Sequence, residues 1–133
     1  MSEENVEIVR AVYAAWTDHD LDALLEMYHP EAEIRTSGSF PDLKPSYSGH
    51  DGVRSFWDAV LAPWDSFEID VERIVEGREC AAVAIRFRAK GKVSGALTDL
   101  RQGHVVYFKD GRVANASLHK SFEESLEAAG LSE

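Results

Sequence analysis

The sequence predicts an α+β domain, and three observations carry that reading. Apolar residues recur at helical spacing as far as Leu61, the period changes to two from Phe67 onward, and a capped helical segment closes the chain. The 133 residues suffice for one hydrophobic core and little more, so a single domain over 1–133 is expected.

In the first helix Val6, Val9, Val12, Tyr13 and Trp16 form one apolar stripe. Ser2 stands where an N-cap belongs, and Glu3 and Glu4 favour the positive end of the helix dipole. His19-Asp20 breaks the stripe. Asp20 then caps a shorter helix with Leu21, Leu24, Leu25 and Tyr28, closed off by Pro30. Glu31–Thr36 alternates as a first strand. Residues 37–48 combine turn formers with apolar side chains and read as a long loop of the kind that covers a binding site. A third helix carries Val53, Phe56, Trp57, Val60 and Leu61, with Ser48 and Asp51 at capping-box spacing and Pro63 near its end. Phe67, Ile69 and Val71 then alternate with acidic residues in a strand running through Val75. Glu76-Gly77-Arg78 turns the chain into Cys80–Ala89, and a third long strand covers Val93–Phe108. Asp110-Gly111 is a hairpin signal leading into Val113–His119. Ser121 with Glu124 opens a tail helix that Gly130 ends.

Composition narrows the function. With 24 acidic and 14 basic side chains the net charge is −10, which excludes a nucleic-acid or anionic-membrane surface, since both need a basic stripe. A hydrophobic content of 44% is too high for a disordered chain. Cys80 is the sole cysteine and lies in the apolar run Cys80–Ile85, so it reads as a buried, inert thiol with no disulfide partner. Met1–Asn5 lacks the basic start of a signal peptide, and no apolar run reaches the roughly 18–20 residues of a membrane span, so a cytoplasmic location is expected. His19, His29, His50, His104 and His119 form no paired metal motif, and no phosphate loop, nucleophile elbow or dinucleotide fingerprint is present. No metal and no cofactor are expected.

Several short stretches in order carry a family resemblance: Glu4–Arg10, Asp20–Leu25, His29-Pro30-Glu31, Tyr47–Val53, Lys109–Val113 and Leu126–Leu131. With these the chain resembles the nuclear transport factor 2-like superfamily, and within it the SnoaL-like group related to ketosteroid isomerase. The resemblance implies a cone-shaped α+β barrel. Three N-terminal helices would pack on a strongly curved mixed, mostly antiparallel sheet, with a short C-terminal helix and an apolar pocket inside the cone. It does not imply a reaction, because isomerases, cyclases, dehydratases, epoxide hydrolases, transport factors and binding modules share the fold.

Alternation places Leu100, Gln102, His104, Val106 and Phe108 on one face of the third long strand, and Asp99, Arg101, Gly103, Val105 and Tyr107 on the other. The first face is the more apolar and is read as facing the cavity, with Gln102 and His104 as its polar points. The resemblance puts His104 where ketosteroid isomerases carry the acid of their oxyanion hole, and Tyr13 within one residue of the partner tyrosine. Tyr28 and Trp57 match pocket tyrosines of those enzymes, and Lys120 is favoured over His119 for the inward direction. Two departures accompany this. The general-base position is Thr36, which cannot accept a carbon-bound proton, and the Arg/Asp pair of epoxide hydrolases is replaced by Ala82, Val83, Ala84 and Ile85. His104 and Tyr13 are therefore the expected catalytic residues, and Tyr28, Thr36, Trp57, Gln102 and Lys120 the expected ligand contacts. His104 has two readings, an acid/base with an ordinary pKa near 6.5 or a core imidazole satisfied by its neighbours. The expected function is binding of a small, mostly apolar organic molecule, with cofactor-independent isomerisation, cyclisation or dehydration if a reaction follows. A non-catalytic binding or dimerisation module is the alternative. Because Arg101, Val105 and Tyr107 make an apolar outer face, a homodimer is expected.

Overall fold

The computed structural model describes residues 2–36, 40 and 42–133. Within the expected 37–48 loop, Ser37, Gly38, Ser39 and Pro41 lie outside the described residues, as does the side chain of Ser2 that was expected to cap the first helix. In chain order the elements are α1 (Ser2–Thr17), α2 (Leu21–Met27), β1 (Tyr28–Arg35), β2 (Ser46–Ser48), α3 (Gly49–Leu61), β3 (Trp64–Glu76), β4 (Cys80–Gly91), β5 (Leu97–Lys109), β6 (Arg112–His119) and α4 (Phe122–Ala129).

The break after α1 has a backbone cause. His19 takes a left-handed φ of 57°, and the amides of His19 and Asp20 donate back to the carbonyls of Trp16 and Ala15. Asp20 then turns its carboxylate to the next helix and accepts from the Ala23 amide at 3.1 Å. At the far end of the chain the Ser121 hydroxyl accepts from the Glu124 amide at 3.1 Å, and Gly130 closes α4 at φ 70°. The Asp110-Gly111 turn has φ of 55° and 73°, the pair of positive values that a two-residue hairpin requires.

The six strands form one mixed sheet in the order β2-β1-β6-β5-β4-β3, left open between β2 and β3. Among the described residues only β1 and β6 run parallel. Bulges between Val71 and Arg73 and between Tyr107 and Phe108 bend the long strands. The curve closes over α1, whose Val9, Val12, Tyr13 and Trp16 are buried in the core. Thr17 fixes the end of that helix to the sheet. Its hydroxyl donates to the Ile69 carbonyl and accepts from the Ile69 amide, both at 3.0 Å.

Four expectations need correction. Ser46–Ser48 is not loop but β2, paired antiparallel with Glu33–Arg35. Ser48 consequently ends a strand, and it makes no side-chain cap bond to α3, while Asp51 pairs with Arg54. Tyr28 begins β1 rather than ending a helix. Val93 sits on an exposed turn, so β5 starts at Leu97. Part of the outer face, expected to pair with a second copy, is covered within the chain. Helix α4 packs over β4 and β5, and Val105 on that face is completely buried within the single chain. Tyr107 on the same face stays exposed.

Charges occupy much of the rest of the outer face. Arg86 pairs with Asp99 through two bonds, Arg88 with Asp70, and Arg101 with Glu72. Such exposed pairs add little stability singly and keep the acidic strands from repelling one another.

Gly103 is the point of closest approach between β5 and α4. A Cβ there would lie 2.5 Å from the Ser121 carbonyl oxygen and 2.6 Å from Phe122 Cα and Ser125 Oγ. Gly103→Ala is therefore expected to push α4 off the sheet and to cost about 1–3 kcal/mol by urea denaturation. An unchanged midpoint would contradict this packing.

Candidate ligand-binding site

Inside the cone lies a cavity of about 240 Å³. Its walls come from Val9, Val12, Tyr13 and Trp16 on α1, Tyr28 and Ile34 on β1, Phe67 and Ile69 on β3, and Ile85 and Phe87 on β4. Gln102, His104 and Val106 on β5 and Ala116 and Leu118 on β6 complete the sheet side. Phe56, Ala59 and Val60 of α3 close it from above, and Phe40, Asp42, Leu43, Pro63 and Trp64 line it further out. Asp42 and Pro63 are exposed and mark the rim.

The alternation that directs Val106 inward also directs His104 and Gln102 into this space, since residues i and i+2 share a face. Tyr13, one helical step from Val9 and Val12, meets them from α1. Its hydroxyl lies 2.6 Å from His104 Nδ1, and His104 Nε2 lies 3.3 Å from Gln102 Oε1. The Gln102 oxygen accepts, so Nε2 carries the ring hydrogen and Nδ1 accepts from the Tyr13 O–H. The three side chains make a row of hydrogen bonds running in one direction, with the Tyr13 and His104 rings stacked at 5.8 Å between centroids.

Burial sets the charge state of this row. Desolvation, with a smaller contribution from His119, pushes His104 down to about 3, so its imidazole is neutral at physiological pH. Desolvation likewise holds the Tyr13 and Tyr28 phenols above their ordinary range, Tyr13 further because Tyr28 lies close by. Tyr28 lines the cavity, and among the described residues no hydrogen bond reaches its hydroxyl. Its backbone carbonyl is engaged separately by His50 Nε2 at 2.9 Å, which gives His50 a structural role.

The remaining expected contacts lie elsewhere. Trp57 is buried but stands behind the wall, 4.5 Å from Trp16 between ring centroids. Thr36 is fully buried, and its hydroxyl donates to the Lys44 carbonyl at 2.7 Å, tying the chain before β2 to the end of β1. Lys120 is exposed past the end of β6. His119 alternates with the inward Leu118, bonds to the Ser117 hydroxyl at 2.9 Å and faces α4, where Glu124 opposes the downward pull of burial on its pKa. Cys80 is buried, which pushes its thiol up and leaves it inert. Among the described residues no group of His, Cys, Asp and Glu could hold a metal ion. No helix of the described residues is long and apolar enough to cross a membrane. Asp42 is the charged cavity residue that sequence reasoning missed. It reads as a turn former beside Pro41, and only the tertiary structure brings it to the rim.

The sequence profile of the SnoaL-like domain family matches residues 9–116. The chain belongs to the SnoaL-like family. No curated protein matches the chain in sequence. Among solved structures, this SnoaL-like domain is similar to a nuclear transport factor 2-like protein of unknown function from Burkholderia pseudomallei, at 25% identity over 93% of this chain and 95% of that one, with a TM-score of 0.80. It is also similar to TerC co-crystallised with polyporic acid, at 22% identity, 93% and 98% coverage and a TM-score of 0.78. A protein with a ketosteroid isomerase-like fold from Catenulispora acidiphila, in complex with trimethylamine, matches at 13% identity, 95% and 94% coverage and a TM-score of 0.75. The last two likenesses concern the fold alone.

The neutral imidazole has a thermodynamic consequence. In the unfolded chain His104 protonates near 6.5, whereas in the fold it does so only at about 3. The unfolded state thus binds more protons over that interval, and stability falls as pH drops from about 6.5 towards 3. Urea unfolding is expected to lose about 1 kcal/mol between about pH 7 and pH 5.5, and His104→Gln to lose most of that slope. A flat wild-type response over the same interval would contradict a buried neutral His104.

Proposed function

We propose that this domain binds a small, mostly apolar organic molecule carrying a carbonyl or phenolic oxygen. The observation that carries the reading is the polar row Tyr13–His104–Gln102, with the unpartnered Tyr28 hydroxyl, set into an otherwise apolar and aromatic cavity. A ligand oxygen near Tyr28 would receive a hydrogen bond that the protein itself leaves unmade, and apolar walls would take up the rest of the molecule. The volume supports a ring-bearing ligand, since a cavity of roughly 150 Å³ already holds benzene.

On this reading His104 works as a neutral relay rather than as a charged acid. Tyr13 donates to Nδ1 and Nε2–H donates to the Gln102 oxygen, so a ligand oxygen that accepts from the Gln102 amide N–H is polarised by the whole row without placing a net charge in the cavity. That suits cofactor-independent isomerisation, cyclisation or dehydration of a carbonyl compound. A second reading, binding without turnover, is favoured by one observation: no buried carboxylate lines the cavity among the described residues, and an imidazole near pKa 3 is a weak base.

The test uses 2-naphthol as a flat, apolar phenol and isothermal titration calorimetry as the readout. Saturable binding is expected, weakened about five- to tenfold by Tyr28→Phe, the worth of one hydrogen bond. Ala59→Trp, which fills the cavity from α3, is expected to abolish it. Absence of saturable binding, or binding unaffected by Ala59→Trp, would place the ligand site elsewhere.

A further inference from the structure

Resting on that reading, we propose that Asp42 selects the outer end of the ligand, so that the cavity prefers an apolar, ring-bearing molecule with a protonated amine at the rim. Asp42 is exposed, lines the cavity and is the one formally charged lining side chain among the described residues. Neither an ion pair nor a hydrogen bond engages its carboxylate among those residues. Bonds tie down its described neighbours. The Leu43 amide donates to the Phe40 carbonyl at 3.1 Å, the Lys44 amide to the Tyr47 hydroxyl at 3.0 Å, and the Thr36 hydroxyl to the Lys44 carbonyl.

The chemistry of the rim is therefore that of a cation acceptor. A carboxylate beside apolar walls attracts an ammonium group and repels a carboxylate, and partial burial of the ligand reduces solvent screening of both effects. Phe40 and Trp64, both half-buried, line the same cavity, and aromatic rings attract a cation placed over their faces. At the buried end the polar row handles an uncharged oxygen. The two ends thus call for different groups on one molecule: a neutral oxygen inside and an amine at the mouth. The net charge of −10 adds a general attraction for cations, which any test has to separate from Asp42 itself.

Three probes with the same phenol and ring system carry the comparison: 6-(aminomethyl)-2-naphthol, 6-(hydroxymethyl)-2-naphthol and 6-hydroxy-2-naphthoate, titrated calorimetrically at neutral pH and low salt. The amine is expected to bind about three- to tenfold tighter than the alcohol, and the carboxylate to bind weakest, as an exposed ion pair allows. Asp42→Asn is expected to bring amine and alcohol within twofold of each other, while Glu123→Gln, an equal loss of charge on α4, leaves the preference in place. If the alcohol binds and the amine gains nothing, or keeps its advantage in Asp42→Asn, the role of Asp42 is overturned and the cavity reading stands. If none of the three probes binds, the cavity reading fails and this inference fails with it.

Discussion

The hydrogen bond between Tyr13 and His104 joins residues 91 positions apart and ties the buried face of α1 to the inner face of β5 at 2.6 Å. Much of the interior is arranged around it. Both rings are buried, so each polar atom needs a partner, and the pairing meets that need without introducing charge. The bond also fixes how far α1 can slide along the cone, a constraint that the Thr17 clamp on Ile69 reinforces at the helix end. Apolar residues from five strands then pack around the helix and leave a space that the polar row borders on one side.

Electrostatics divide the molecule into a neutral inside and an acidic outside. Burial holds His104 uncharged and keeps both cavity tyrosines protonated, so the row can donate and accept hydrogen bonds but is poorly suited to carry a proton as charge. The acidic surplus faces water, where arginines on β4 and β5 pair with part of it across the strands. Asp42 stands at the boundary between the two regions. It gives the cavity mouth a sign that the cavity floor lacks.

Much of this was legible in the sequence because it depends on local periodicity. Alternation along β5 set the inward direction of Gln102 and His104, and the resemblance to ketosteroid isomerases, not the α1 stripe, put Tyr13 beside them. Helical spacing could not separate Trp16, which lines the cavity, from Trp57 stacked behind it, because both belong to apolar faces. Val93 reads as strand but occupies a turn tip, where an apolar side chain is tolerated and the backbone pairing is not continued. The burial of Val105 depends on α4 approaching Gly103, a tertiary contact that no period encodes. Asp42 was illegible for the same reason: its place at the cavity is a tertiary one, two residues before Lys44, which bonds to Thr36 and Tyr47.

The central claim is that a neutral imidazole, accepting from Tyr13 and donating to Gln102, organises the cavity. Long-range proton–nitrogen NMR of the His104 ring tests it most directly. The account predicts one protonated nitrogen, Nε2, and one unprotonated nitrogen, Nδ1, with no change between about pH 8 and pH 5 because the ring titrates only at about 3. Two protonated ring nitrogens at about pH 6, or a titration centred near the ordinary value of about 6.5, would contradict it.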